Sequence, residues 1–235
     1  YKSEVDIVTE ADRNSEEFIV ERLHASFPQH SVVAEEGSQR TGTSEYCWYV
    51  DPLDGTTNFA HGYRLFCVSL ALVRGEEILV GVVYDPVHQE MFRAVQGEGA
   101  WLNDRRIRVS TAPRLNESLV ATGFPTRKRH KNPNVLYYHR FTMLTHGVRR
   151  DGSAALDLCY VACGRFDGFW ELQLNPWDTA AGVLLVREAG GLVTDFHGRP
   201  YRLACEEILA ANPHIHAEMQ QVLAEVTAQA AQKGL

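Results

Sequence analysis

The stretch from Trp48 to His61 (Trp-Tyr-Val-Asp-Pro-Leu-Asp-Gly-Thr-Thr-Asn-Phe-Ala-His) holds the densest chemistry in the chain. Trp48 to Val50 reads as the end of a buried strand, after which Asp51 and Asp54 are separated by only two residues. Pro52 fixes one φ angle, and Gly55 lets the backbone bend or approach a ligand closely. A tight turn beginning at Asp51 is therefore expected, with both carboxylates at one strand end. Two ionised carboxylates that close repel, and one pKa rises unless a cation sits between them. Oxygen ligands with little sulfur or imidazole nearby favour magnesium, manganese or calcium over zinc. The amides and hydroxyls of Gly55, Thr56 and Thr57 suit an anionic oxygen such as phosphate. The combination points to a metal-bridged phosphate site. Asp-Pro-x-Asp-Gly taken alone is also a good turn sequence.

The elements that must position these groups follow from periodicity. Val5 to Val8 is a short apolar stretch, and Thr9 with Asp12 three residues on forms a capping box opening a helix. Phe18, Ile19, Leu23 and Phe27 recur at helical spacing, and Pro28 stops that helix. Residues 31–34 form a short strand ending in Glu35-Glu36-Gly37, followed by a polar segment to Glu45 that reads as a mobile loop able to close on substrate. Apolar runs at 65–73, 78–84, 91–95, 100–102 and 107–109, with short turns between, predict an antiparallel meander and an α+β first half, 1–113. After Pro113 strands at 119–122, 148–150, 166–170, 192–194 and 208–211 alternate with helices at 134–145, 153–163, 176–189 and from 215. That alternation predicts an α/β second half, 114–235, sharing one continuous interface with the first. Asn175-Pro176-Trp177-Asp178 is a good helix start, with Asn as cap, Pro at the first position and an acid at the third. Asp151-Gly152-Ser153-Ala154 opens another helix, where free amides can receive substrate hydroxyls.

Composition bounds the classes. The chain has 235 residues, is 45% hydrophobic and 23% charged, and carries a formal charge of -7, all ordinary for a soluble globular protein. The negative charge argues against non-specific nucleic-acid binding and against anionic membranes. No apolar run approaches the roughly 18 residues that a membrane span needs, and no signal peptide is visible. The five cysteines are odd in number and contain no C-x-x-C pair, which reads as reduced thiols in a cytoplasmic protein. Cys159 and Cys163, one helical turn apart, read as core. The basic run Arg127 to Lys131 reads as solvated surface. His214 and His216 lack neighbours for a zinc site.

The string around Asp51, including Phe59 and His61, resembles the first signature of the inositol monophosphatase family. Trp177-Asp178-Thr-Ala-Ala-Gly182 through Glu188-Ala-Gly190-Gly191 resembles the second, so the resemblance covers nearly the whole chain. It implies the layered αβαβα sandwich of the inositol monophosphatase and fructose-1,6-bisphosphatase superfamily, with a further helix preceding Tyr1. It implies a homodimer that hydrolyses a small phosphorylated polyol, most directly inositol monophosphate. The cofactor would be Mg2+, two or three ions per site, with Mn2+ as a substitute and Ca2+ and Li+ as inhibitors. One ion would be held by Glu35, Asp51 and the backbone carbonyl of Leu53, and a second by Asp51, Asp54 and Asp178. Thr56 and Asp12 would orient the attacking water. Gly55 and Thr56 would hold the phosphate, while Gly152, Ser153, Ala154 and Glu171 would bind the alcohol. Fructose-1,6-bisphosphate, histidinol phosphate and 3′-phosphoadenosine 5′-phosphate remain rival substrates. Some bacterial relatives of this type bind transcription machinery, which leaves an interaction protein with vestigial catalysis as the alternative.

Overall fold

Thr9 starts the first helix, α1 (Glu10–Ser26), through the capping box that its sequence predicts. The structure, a computed structural model, describes residues 9–124 and 132–232; Val5 to Val8 and the basic run Arg127 to Lys131 lie outside the described residues. The apolar stripe expected of α1 holds in part: Ile19 and Leu23 pack, half-buried, against the core, but the two phenylalanines do not face inward. Phe18 is 60% exposed and Phe27 42%, while Asp12, Glu16 and Val20, four residues apart, are the buried positions. The acids have backbone and hydroxyl partners there. The Glu16 carboxylate accepts hydrogen bonds from the Glu36 and Ser38 amides, at 2.7 and 2.9 Å.

Eight strands form the first sheet: β1 (Ser31–Ala34), β2 (Gln39–Arg40), β3 (Tyr46–Asp54), β4 (Cys67–Arg74), β5 (Glu77–Asp85), β6 (Glu90–Val95), β7 (Gly99–Leu102) and β8 (Arg105–Ile107). Their order is β2-β1-β3-β4-β5-β6-β7-β8, antiparallel throughout except for β1 beside β3. The run from β3 to β8 is the predicted meander. The segment read as a mobile loop contains β2 and is tied down. Thr43 and Ser44 both donate to the Gln29 carbonyl at 3.0 Å, and a Cβ on Gly42 would collide with the Gln29 and His30 backbone. A short helix, α2 (Thr56–Ala60), which the sequence reading lacked, follows β3.

The second sheet comprises β9 (Leu119–Thr122), β10 (Gly147–Arg149), β11 (Gly168–Leu172), β12 (Leu192–Thr194) and β13 (Glu207–Ala211), in the order β10-β9-β11-β13-β12. β9 runs parallel to β10 and β11, and β13 antiparallel to β11 and β12. Four further helices complete the chain: α3 (Asn134–Thr142), α4 (Ala154–Ala162), α5 (Pro176–Glu188) and α6 (His216–Gln232).

The packing is five layers deep. α1 covers one face of the first sheet with Val20 against Val32, Trp48 and Val50. Between the sheets lie α4 and α5, every residue of α4 buried, in one core with Phe92 and Val83 on one side and Phe169 and Ile208 on the other. α3 and α6 cover the far side through Phe141, Met219 and Leu223, with Trp170 and Leu209 beneath them. This is the αβαβα sandwich that the family resemblance implies. No helix among the described residues is long and apolar enough to cross a membrane.

Two glycines set how closely the central helices approach. A Cβ on Gly81 of β5 would stand 2.8 Å from the Ala181 carbonyl oxygen of α5, and one on Gly182 of α5 would stand 2.5 Å from Leu158 Cβ of α4. Overpacking of this kind costs about 1–3 kcal/mol. Gly182→Ala should therefore lower unfolding stability by about that amount, measured by urea denaturation. Unchanged stability would mean that α4 and α5 can separate freely.

Candidate active site

The site begins with an irregularity in β3. Asp51 pairs with Ser69 and Asp54 with Cys67, so β3 takes three steps where β4 takes two. Pro52 has no N–H for the ladder, and the extra residue is accommodated as a bulge. The turn expected at Asp51 is thus a bulge within a strand that continues to Asp54. The Leu53 amide donates to Asp51 Oδ1 at 3.0 Å, fixing that carboxylate locally. Gly55 follows with φ +95°, the left-handed region, and turns the chain into α2. Gly55, Thr56 and Thr57 therefore stand at the start of a helical turn.

Asp12 reaches this turn across 44 residues. Its Oδ2 accepts from the Thr9 amide at 2.7 Å and from the Thr9 hydroxyl at 2.5 Å. Its Oδ1 lies 3.1 Å from Thr56 Oγ1, which also lies 3.0 Å from the Leu53 carbonyl oxygen. Asp12 thus gives one oxygen to the helix cap and lies with the other within hydrogen-bond reach of Thr56.

Three elements bring the other carboxylates in. Glu35 follows β1, its amide donating to the Val50 carbonyl at 3.1 Å, and its carboxyl shares a hydrogen bond with Asp51. Asp178 is the third residue of α5, where its Oδ2 accepts from the Asn175 amide at 2.7 Å. Asp54 Oδ2 accepts from Ser153 Oγ at 2.6 Å and from the Ala155 amide at 2.8 Å, at the start of α4. Burial pushes the pKa of Asp51 well up, and the neighbouring charges of Glu35, Asp54 and Asp178 push it further. Burial also raises Asp178, followed by repulsion from Asp54. In Asp54 burial again dominates, opposed by the Ser153 hydroxyl and the Ala155, Ala154 and Gly55 amides. A divalent cation would offset what destabilises these groups, and an all-oxygen donor set fits a hard one. Among the described residues no three His, Cys, Asp or Glu side chains form a closed cage as they stand. Protein donors reach Asp51, Asp54 and Asp178.

Beside this cluster opens a cavity of about 320 Å3 whose walls include Glu35, Asp54, Ser153, Asp157, Glu171 and Asp178. Gly152 and Ala154 line it too, whereas Asp12, Asp51 and Thr56 do not. A larger cavity of about 580 Å3 lies elsewhere, beside Arg187 and Tyr201, away from the carboxylates. Glu171, on β11, is 7% exposed, and its pKa is pushed up to about 8, chiefly by burial, with Arg150 acting in the opposite sense.

Four residues of this region escaped the sequence reading. A Cβ on Gly123 would overlap the Glu171 carboxylate, so that glycine makes room for it. Arg150 supplies a positive charge to the cavity. Asn58 Nδ2 donates to the Leu65 and Asp151 carbonyls, both at 2.8 Å, tying α2 to the loop before α4. Asp157 is buried with Oδ1 lacking a partner, and burial raises its pKa well above the usual range. Its signal was legible: it is the one charged residue in Ala154–Ala162.

The model of the inositol monophosphatase family matches residues 1–234. An inositol-1-monophosphatase from Synechocystis is 50% identical over 221 residues, 93% of this chain and 77% of that one. A Nus factor SuhB from Pseudomonas aeruginosa is 48% identical over 217 residues, 90% of this chain and 80% of its own. A solved inositol monophosphatase from Anabaena (Nostoc) superposes with a TM-score of 0.89 at 48% identity, covering 93% of this chain and 87% of that one. The chain belongs to the inositol monophosphatase family, and it is a phosphatase of that family's hydrolase type.

Proposed function

We propose that the chain hydrolyses a small phosphate monoester with the help of magnesium, and that inositol monophosphate is its leading substrate. The observation that carries this is the cluster of Glu35, Asp51, Asp54 and Asp178, in which buried Asp51 feels the charge of three partly buried carboxylates. Glu35, Asp51 and the Leu53 carbonyl would hold one ion, and Asp51, Asp54 and Asp178 a second. Bound magnesium would activate a water nucleophile and stabilise the leaving alkoxide. The N-terminal half would thus supply most of the metal site, and the half after 113 would complete it.

The remaining groups have assigned tasks on this reading. Thr56 Oγ1, when it donates to Asp12 Oδ1, keeps its lone pairs for a proton of the attacking water. The water is then turned with its own lone pair toward phosphorus. Gly55 and Thr56 amides would receive phosphate oxygens. Gly152, Ser153 and Ala154 at the start of α4, with Glu171 opposite, would hold the hydroxyls of the alcohol. A homodimer located in the cytoplasm, and inhibition by Li+ and Ca2+, belong to the same proposal. Phosphate release from inositol 1-phosphate, fructose-1,6-bisphosphate, histidinol phosphate and 3′-phosphoadenosine 5′-phosphate, with and without magnesium, tests it directly. No release from any of them would favour the second reading, in which the protein serves transcription machinery. The similarity to relatives named Nus factor SuhB supports that alternative.

Asp51→Asn should abolish most turnover, because a neutral amide bridges two cations poorly. The metal-free protein should gain stability from the same change. Carboxylates with raised pKa bind more protons folded than unfolded, so stability falls as pH rises above the ordinary carboxylate range. Melting in a chelator at pH 5 and pH 8 should show that fall, smaller in Asp51→Asn than in the parent. Near-normal turnover of the variant at saturating magnesium would sink the bridging role.

Glu171→Gln separates the substrate readings. Charge-assisted bonds contribute about 1.5–3 kcal/mol, so above pH about 8, where Glu171 is ionised, kcat/KM for inositol 1-phosphate should fall about 10- to 150-fold, and much less for glycerol 2-phosphate. Ionised Glu171 is the better acceptor. The KM for inositol 1-phosphate relative to glycerol 2-phosphate should therefore drop as pH rises toward about 8, and the variant should lack that dependence. Equal losses on both substrates would mean that Glu171 does not read the alcohol.

A further inference from the structure

The cavity of about 580 Å3 lies where the end of α5 meets β12, the edge strand of the second sheet. Its walls include Ile78, Leu192 and Val193, with Tyr201 and two arginines, Arg187 and Arg202. Arg202 is already paired with Glu76 at 2.6 Å, both side chains exposed. Arg187 is different. Its Nη2 donates to the Tyr201 carbonyl at 2.9 Å, and among the described residues no carboxylate pairs with it. Although the residue as a whole is exposed, protein crowds the guanidinium enough for burial to lower its pKa. A guanidinium carries five N–H donors in a planar fork, so several remain for an acceptor. A partly desolvated cation without a counter-ion is unfavourable, and an anion entering the cavity would relieve it. The apolar walls suit a ligand with a hydrocarbon body.

We propose that this cavity is a second binding site, for a small organic anion that places its acidic head on Arg187 and its apolar body against Ile78, Leu192 and Val193. The site is joined to the catalytic region through one residue. Tyr201, whose carbonyl anchors Arg187, donates its hydroxyl to Thr179 Oγ1 at 3.2 Å, and Thr179 directly follows Asp178.

Calorimetric titration of the whole chain in magnesium tests the proposal, with naphthalene-2-sulfonate as the probe and 2-naphthol as its uncharged counterpart. The sulfonate should bind at least about tenfold more tightly than the naphthol. Arg187→Gln should weaken it by a similar factor, with Arg187→Lys in between. Asp51→Asn should bind as the parent does, because the site lies outside the catalytic cleft. Equal binding of sulfonate and naphthol, or no effect of Arg187→Gln, would overturn the proposal. Loss of binding in Asp51→Asn would also overturn it, by placing the probe in the cleft. Should Arg187→Gln not fold, Leu192→Asp serves instead, since Leu192 is 44% exposed at the cavity wall. A negative charge there must abolish sulfonate binding, and unchanged binding would refute the site.

Discussion

Mutual repulsion among carboxylates gathered around the buried Asp51 is the constraint on which the rest of this structure depends. Asp51 is 2% exposed and feels Glu35, Asp54 and Asp178 at once. Side chains left to themselves would separate toward water, so the backbone must hold them together. It does so from three directions: a bulge in β3, the end of β1 beside it, and the first turn of α5. The position of α5 is in turn set by two missing Cβ atoms, at Gly81 and Gly182, which let it lie close to β5 and α4. The amino end of a helix also favours negative charge, which suits Asp178 to its place. The apolar layers around α4 and α5 therefore serve the electrostatics: they make the cluster rigid enough to persist.

α1 shows the same priority from the outer layer. Its buried positions include two acids, Asp12 and Glu16, and its aromatic Phe18 faces outward. Asp12 spends one oxygen on the helix cap and the other on Thr56. Glu16 holds the amides of Glu36 and Ser38, immediately after Glu35. Charge-assisted bonds to backbone N–H groups are stronger than neutral ones, which makes such burial tolerable. The helix works as a strut that fixes both the Thr56 turn and the segment carrying Glu35.

Much of this was legible in the sequence where local chemistry decides the outcome. The cap at Thr9 and the helix start at Asn175 follow from neighbours three residues apart, and both are present. The meander from β3 to β8 was legible because short turns leave adjacent strands little choice but to pair. What escaped depends on contacts across long separations. Gly123 makes room for Glu171, and Asn58 ties α2 to Asp151, 93 residues on. Phe18 and Phe27 fit a helical stripe, yet the surface that α1 meets receives Asp12 and Glu16 instead. Periodicity reports which residues share a face, and it cannot report what that face will meet. Asp157 was overlooked for a different reason, since an acid inside an apolar helix is itself a local signal.

The join between the carboxylate cluster and the cavity beside it lies at Asp54. The sequence treated Asp54 and Ser153 as parts with separate tasks, but the Ser153 hydroxyl and the Ala155 amide both donate to Asp54 Oδ2. Whatever draws charge away from Asp54 must therefore weaken its hold on the start of α4, and whatever bonds to Ser153 must compete with Asp54 for the same proton. A hydroxyl has a single proton to give, so Ser153 cannot donate fully to Asp54 and to a ligand together, although its lone pairs can still accept. Ser153 is thus better placed to accept a hydrogen from any ligand hydroxyl entering the cavity than to donate one. The carboxylate cluster and the cavity beside it are in this way coupled through one short hydrogen bond, with the rigidity of α4 transmitting the alignment between them.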